Sequence, residues 1–291
     1  MRLPVNGLDG VKPHSHGRLT FSANEIQFAS SKASARVPIA AIRSYSLSDD
    51  TREVFPGLAG SLMDDPALGL INPLAEATVL GAGIGAGMLR RSVSALEFDY
   101  VDSHHGLHKA VFLLPRSSGD RARHAMALLN LPMEAAASVP HPSFPKSAVL
   151  LRNFIGPKGS GSIRVADPAA GSSGTPPYLE GVIYEQLFSQ LTSSRYFLHV
   201  LRAGEDVPAG SGKLLTPQIG LDGFTAGKPR LRLVTLGFGQ AKIAAEVRLS
   251  DDSHLLLRDD IVNTRAGDDE SSVDACQWLS ARIAREVTKK N

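Results

Sequence analysis

The stretch ATVLGAGIGAGMLRRS, residues 77–92, sets Gly81, Gly83, Gly85 and Gly87 in a run of small and apolar residues and ends on Arg90 and Arg91. Gly81, Gly83 and Ala86 fit a relaxed G-x-G-x-x-A fingerprint. That chemistry needs a buried strand before the glycines and a helix opening within them, so that a pyrophosphate meets the helix N-terminus. It also needs an acid about 20 residues on for the ribose, and Glu97, Asp99 and Asp102 are available. The preceding strand, however, would be only ATVL behind the breaker INP, and hairpins rather than βαβ units follow. A second reading uses the i, i+4 pairs Gly81/Gly85 and Gly83/Gly87. On a helix they clear a groove into which another helix or a second copy of the chain can pack. In a third, the apolar run 77–89 is too short to span a bilayer, but with Arg90 and Arg91 it could lie in a membrane interface. Packing or self-association ranks first, the membrane surface second and the ligand loop third.

Other candidates carry less. AGSGKLL, residues 209–215, lacks the first glycine of a phosphate loop, where Val207 stands, and has Leu214 where the Mg²⁺-binding hydroxyl belongs. It reads as a turn before a strand. His104, His105 and His108 lie in SHHGLHKA, and His14 and His16 near the start. Neighbouring histidines on a strand point to opposite faces, so a solvated turn is favoured over zinc. The acid pairs Asp49/Asp50, Asp64/Asp65, Asp251/Asp252 and Asp259/Asp260 lack EF-hand spacing and read as solvated loop charge. Cys276 falls on the apolar stripe of a helix and reads as a buried thiol. No G-x-S-x-G or H-E-x-x-H motif is present. No catalytic residue, metal or cofactor is expected.

The elements that would position these residues fall into two halves within 291 residues, of which 43% are hydrophobic and 21% charged. That is the composition of a folded globular protein. The net charge of +2 leaves no electrostatic footprint for nucleic acid. One cysteine excludes an intrachain disulfide. The opening residues, MRLPVNGLDGVKPHSHG, lack the apolar core and cleavage site of an export signal. The expectation is a cytoplasmic protein with peripheral membrane contact as an option; a misassigned start would move it to the envelope. Pro140, Pro142 and Pro145 mark a linker, taken as 136–146, between units at 1–135 and 147–291. Residues 156–177, rich in Gly, Ser and Pro, read as a flexible loop.

In the first half, RLTF and EIQF alternate around the turn SAN. ARVPIAAIRSYSL follows, with Pro38 fitting a strand edge or start. A glycine-rich insertion spans about 52–94. ALEFDYVD and LHKAVFLLP form a hairpin about SHHG, and SSGDRARHAMALLN supports a helix with Ala122, Met126 and Leu129 on one face. Carried by GRLTFSANEIQF, VPIAAIRSYSL, LEFDYVDSHHGLHKAVFLL and that helix, residues 15–132 resemble bacterial pleckstrin-homology and GRAM-like domains. The resemblance implies antiparallel strands closed by a C-terminal helix, and a module that docks a protein or membrane surface.

In the second half, AVLLRNF reads as a buried strand, and PYLEGVIYEQLFSQLTSS as an amphipathic helix with Ile183, Leu187 and Leu191 in its stripe. RYFLHVLR returns as a strand. LRLVTLGFGQAKIAAEVRLSD reads as a hairpin about Gly237 and Gly239, with Ile243, Ala245, Val247 and Leu249 on a covered face and Lys242, Glu246 and Arg248 on a wet one. HLLLRDDIV is another strand. The last helix starts near Ser271, with Asp274 as capping partner, the stripe Val273, Cys276, Leu279, Ile283 and Val287, and Lys289 and Lys290 at its negative end. AVLLRNF, LFSQLTSSRYFLHVLR, GLDGFTAGKPRLRLVTLGFGQAKIAAEVRLSD and the final helix resemble a bacterial domain family of unknown function common in envelope lipoproteins. They also resemble small α/β domains of outer-membrane assembly factors and penicillin-binding-protein activators. The whole is expected to be α+β: a PH-like β domain with a C-terminal helix, then a small α/β sandwich ordered strand, helix, strand, hairpin, strand, helix. The expected function is non-enzymatic binding or scaffolding through a protein partner or self-association, without nucleic acid. A nucleotide-binding protein or enzyme using Gly81–Gly87 is the alternative.

Overall fold

The computed structural model describes residues 5–12, 15–54, 89–133, 158–168, 175–225, 241–251, 254–265 and 271–288. Its class is α+β. Three strands, β2 (Gly17–Phe21), β3 (Glu25–Ser30) and β4 (Ser34–Pro38), form an antiparallel meander. The turn at Ser22–Asn24 is closed by Ser22, whose hydroxyl donates to the Glu25 carbonyl and accepts from the Glu25 N–H. Alternation sends Ile26, Phe28 and Val37 inward, each 2% exposed or less. Pro38 ends an edge strand, where its missing N–H costs no ladder bond. A 3₁₀ turn at Ile39–Ala41 then splits the stretch read as one strand into two.

The second sheet has the order β1-β7-β6-β5. It comprises β1 (Val5–Asn6), β5 (Ile42–Val54), β6 (Leu89–Val101) and β7 (Leu107–Pro115). β5 and β6 are antiparallel out to Val54↔Leu89. The insertion bounds read as about 52–94 therefore contract, because residues 52–54 and 89–94 belong to the ladder. Helix α1 (Arg116–Leu128) closes this half. Ala122 and Met126 are buried beneath it, Leu129 only partly. Gly119 meets β6 so closely that a Cβ would fall on the Ser94 side chain. One apolar core joins Leu96, Phe98, Phe112 and Leu114 to Ile26, Phe28, Val37 and Met126.

The second half is a five-stranded sheet of order β12-β11-β10-β8-β9, with helices α2 (Pro177–Ser194) and α3 (Ser271–Thr288). Its strands are β8 (Gly161–Arg164), β9 (Val200–Leu201), β10 (Lys213–Thr225), β11 (Ala241–Asp251) and β12 (His254–Arg265). Ile243, Ala245, Val247 and Leu249 face the helices and are buried, as is the whole α3 stripe of Val273, Cys276, Leu279, Ile283 and Val287. The Ser280 hydroxyl donates to the Ile183 carbonyl and ties α3 to α2.

Several expectations change here. β8 lies inside 156–177, the segment read as a loop; the strand expected at 148–154 and the first hairpin arm near Gly237 lie outside the described residues. RYFLHVLR shortens to Val200–Leu201, because α2 runs to Ser194 and Arg195 then turns the chain with φ 51°. Glu246 and Arg248, expected on a wet face, are 7% and 5% exposed and paired at 3.0 Å. Asp49/Asp50 and Asp259/Asp260 sit in β5 and β12 rather than in loops. α2 is more than amphipathic. Tyr178, Leu179, Gly181, Val182, Tyr184, Glu185 and Gln186 are buried as well as its stripe. A helix buried on nearly all sides needs neighbours on both. α2 has them: α3 and its own sheet on one side, β6 and β7 of the first half on the other.

Candidate functional site

The seam where α2 meets β6 and β7 gathers, among the described residues, the buried ionisable groups Glu97, Asp99, Lys109 and Glu185. Alternation along the hairpin sends Leu96, Phe98, Ala110 and Phe112 to the first core. It sends Ala95, Glu97, Asp99, Lys109, Val111 and Leu113 toward α2, with Val111 opposite Glu97 and Lys109 opposite Asp99 in the ladder. Lys109 Nζ lies 3.0 Å from Asp99 Oδ2, 3.2 Å from Asp167 Oδ1 and 3.8 Å from Glu97 Oε1, with its side chain 3% exposed. The Ser46 hydroxyl donates to Glu97 Oε2 at 3.2 Å. Burial works against the Lys109 ammonium, but the charges of Glu97, Asp99 and Asp167 outweigh it and push its pKa above the ordinary lysine value.

One turn along α2 stands a second group. Arg202 donates through both terminal nitrogens to the two Glu185 oxygens, each at 2.9 Å, in the bidentate geometry that makes such pairs strong. Its guanidinium carbon lies 4.0 Å from the Phe188 ring centre. Burial opposes the Arg202 charge; Glu185 more than compensates, and the pKa is raised. Backbone is drawn in as well. Lys109 N–H donates to Glu185 Oε1 at 2.9 Å and Arg202 Nη1 to the Leu107 carbonyl at 3.1 Å. Leu107 N–H donates to the Ala203 carbonyl at 2.9 Å. Tyr184 Oη donates to the Leu107 carbonyl and accepts from Ala203 N–H, both at 3.0 Å. Burial raises the Tyr184 phenol to about 12, against the lowering effects of the Ala203 N–H and Arg202. Gly181 lets the helix lie flush: a Cβ there would fall on Glu97 Oε1 and a Val111 methyl.

At the end of the hairpin, Asp102 Oδ1 accepts from the N–H groups of His104 and Gly106, each at 2.8 Å. His108 Nε2 lies 3.1 Å from Asp102 Oδ2, and its ring stacks on Tyr100 at 4.8 Å. An ionised carboxylate only accepts, so Nε2 carries the proton. Burial raises the Asp102 pKa; the His108 hydrogen bond and the two backbone N–H groups outweigh it and hold the carboxyl below the usual range.

This arrangement can hold two pieces of chain in register. Its carboxylates, lysine and arginine are turned on one another. Glu97 and Asp99, weighed above as ribose acids, face Lys109 instead, and Asp102 caps a turn. His108, read as part of a solvated turn, is on β7 and 5% exposed, whereas His104 and His105 are exposed as expected. No group of three or more His, Cys, Asp or Glu among the described residues is placed to hold a metal ion. Pro208–Ser211 form a turn before β10, closed by the Ser211 N–H donating to the Pro208 carbonyl, and Lys213, the first residue of β10, pairs with Asp251. Cys276 is buried. Gly81, Gly83, Gly85 and Gly87 lie outside the described residues. Arg90 and Arg91 are in β6 opposite Glu53 and Arg52, so Leu89 and both arginines continue a strand and do not close a helix. Among the described residues no helix is long and apolar enough to cross a membrane. Sequence reasoning missed Lys109, Asp167, Glu185 and Arg202. The one local signal was Glu185 itself, a charge flanked by Tyr184 and Gln186 beside the Ile183–Leu187 stripe.

No family model matches the chain, and no curated protein matches it. Solved structures do. A Xanthomonas campestris protein of the DUF330 family is 12% identical with a TM-score of 0.34, over 45% of this chain and 87% of that one. The PelC dodecamer of Paraburkholderia phytofirmans is 11% identical with a TM-score of 0.32, over 46% and 90%. A neuraminyllactose-binding hemagglutinin homolog from Helicobacter pylori is 11% identical with a TM-score of 0.30, over 51% and 89%.

Proposed function

We propose that the chain is a non-enzymatic binding or scaffold protein, in which a PH-like module and a small α/β module are presented to a partner in one fixed relation. The observation that carries this reading is the use made of the ionisable side chains. Lys109, Glu97, Asp99, Glu185, Arg202 and Tyr184 have the types a catalytic site would need, and all are committed to the seam between the two halves. A catalytic group must reach a substrate; these reach each other. The PH-like reading of the first half draws support from its meander of three strands, its four-stranded sheet and the closing helix α1. Fold sets no activity by itself, so the partner is sought directly. The partner is a protein or a second copy of the chain, with a membrane surface as the other docking option and the cytoplasm as the compartment.

The test has two arms. Thermal melting of the full chain is followed with NAD, FAD, ATP and GTP, because a ligand at 100 times its dissociation constant stabilises by about 2.7 kcal/mol. No shift is expected, and a saturable micromolar response to any of the four overturns the non-enzymatic reading in favour of the glycine loop. Sedimentation and affinity capture from soluble and membrane fractions of native cells are expected to find the chain in a defined complex. A monomer without partners in both fractions overturns the scaffold.

A further inference from the structure

Each half keeps an apolar core of its own. In the first it is built on Phe28, Phe98, Phe112 and Met126. In the second it is built on Tyr178, Ile183, Leu187, Ile219, Val247, Leu279 and Ile283. Among the described residues, the first half contributes only Ala95, Val111 and Leu113 to the second core. Every other seam contact named above is a hydrogen bond or an ion pair. Apolar burial scales with area, and an alanine, a valine and a leucine supply little of it beside the two cores. What crosses the seam is therefore polar and directional: Lys109 Nζ on Asp167, the Lys109 N–H on Glu185, Arg202 and Tyr184 on the Leu107 carbonyl, and the Leu107 N–H on the Ala203 carbonyl, while Glu97 and Asp99 fix the Lys109 ammonium within the first half and Glu185 fixes Arg202 within the second.

Buried charges of this kind behave asymmetrically. Removing one partner strands the other in a low-dielectric site, whereas the intact set stabilises little relative to an apolar seam and fixes one geometry. Water has a way in, since Asp167 is 46% exposed at the rim of the Lys109 group. Polar interfaces between separately cored bodies permit relative motion, and cooperative units can open without global unfolding.

We propose that the seam is a joint that opens as a unit, releasing β6 and β7 from α2 while each half keeps its core, with Lys109, bonded across it to Asp167 and Glu185, and Arg202, bonded across it to the Leu107 carbonyl, as the two elements that hold it shut. Opening frees the face of α2 that bears Gly181 and Glu185 and the sheet face that bears Glu97, Asp99 and Lys109. The joint does not depend on what the partner of the scaffold is.

Native-state hydrogen exchange on the full chain tests it. In Lys109→Met, the amides of residues 107 and 109, both bonded across the seam, are expected to exchange at least tenfold faster than in the unmodified chain. The amides of Phe28 in β3 and of Ile219 and Val247 in β10 and β11 keep their rates. Lys109→Arg, which retains the charge, stays within threefold of the unmodified chain at all five positions. Equal acceleration of seam and core amides shows one cooperative body and overturns the proposal, as does no acceleration in Lys109→Met. Should that variant fail to fold, Asp167→Asn removes a single rim partner. It is expected to quicken the same two amides alone, and a uniform or absent response there is equally fatal.

Discussion

The hairpin β6–β7 turns two contrasting faces to its neighbours. Toward α1 and the meander it presents Leu96, Phe98, Ala110, Phe112 and Leu114, all 3% exposed or less, with Phe98 and Phe112 stacked at 5.3 Å. Toward α2 it presents Ala95, Glu97, Asp99, Lys109, Val111 and Leu113, also buried but charged at the centre. The first face is held by a non-directional force that grows with area and accepts several side-chain shapes. The second tolerates one arrangement, because each charge must find its partner. One strand pair thus supplies its own half with a core and the other half with a keyed contact.

The sharpest way to break the contrast is to cut each face in turn. Phe112→Ala removes a ring buried at 0% exposure and packed on Phe28 and Phe98. It is expected to destabilise the first half by about 3–5 kcal/mol in urea unfolding. Arg202→Met strands Glu185 and is expected to cost about 3–5 kcal/mol as well. The difference lies in rescue. Adding Glu185→Met to Arg202→Met removes the stranded charge, and at least half of the loss is expected to return. A double variant no more stable than Arg202→Met would make the seam an ordinary core contact. The contrast between the faces would then be lost.

A finer comparison uses two glycines, one on each side of β6. Gly119 of α1 sits against the Ser94 side chain, and Gly181 of α2 against Glu97 and Val111. Alanine improves helix propensity at either site by about 0.8–1 kcal/mol. At Gly119 the obstacle is the Ser94 Cβ as well as its hydroxyl, on a residue 1% exposed, and no change of rotamer moves the Cβ. At Gly181 it is a buried carboxylate already held by Ser46 and Lys109, and a branched side chain beside it. Both alanines are therefore expected to cost about 1–3 kcal/mol net, with Gly119→Ala the costlier, because the Ser94 Cβ is fixed to the β6 backbone whereas the Glu97 carboxylate and the Val111 methyl are side-chain ends. Matched thermal melts of the two variants check this, and the reverse order would show that the apolar face yields more readily than the charged one.

How far the sequence foretold these faces depends on how local the cause was. The α3 stripe, the Ser22–Asn24 turn and the hairpin about Asp102 depend on residues a few positions apart, and their spacing was enough. β10 was read only as the strand that follows the turn at 209–215, without its extent, because Pro217, Gly220 and Gly223 interrupt its alternation. It survives because β8 pairs only with Lys213–Leu215, so Pro217 lies beyond the stretch bonded to β8, and because a register shift between Leu221 and Gly223 absorbs the irregularity. The seam was out of reach for a different reason. Lys109 and Glu185 are 76 residues apart, and Lys109 is drawn to α2 by packing that no periodicity encodes. An alternating polar face looks wet until something covers it, as Glu246 and Arg248 did, and Glu97 and Asp99 were weighed only as ribose acids.

The smallest expected effect lies where the seam meets solvent, at the turn that ends the hairpin. Asp102 holds His104 and Gly106 by their N–H groups and His108 by its ring, and its carboxyl lies below the ordinary value in the folded protein. A carboxyl with a depressed folded pKa contributes stability that is fully present above its unfolded value, about 3.8–3.9, and is lost as pH falls through the folded value. The contribution is therefore constant from neutral pH down to about pH 5 and disappears progressively below about pH 4. Asp102→Asn keeps an oxygen for the N–H groups but loses the charge that strengthens them. It is expected to cost about 0.5–1.5 kcal/mol at pH 7. Stability of the two chains by urea unfolding between pH 7 and pH 3 is expected to converge at the acid end, since the parent carboxyl is protonated there. A gap that stays constant to pH 3, or widens, would mean that the charge of Asp102 does not support the turn. The hairpin end would then be held by its packing against Arg202, whose side chain lies beside Gly106.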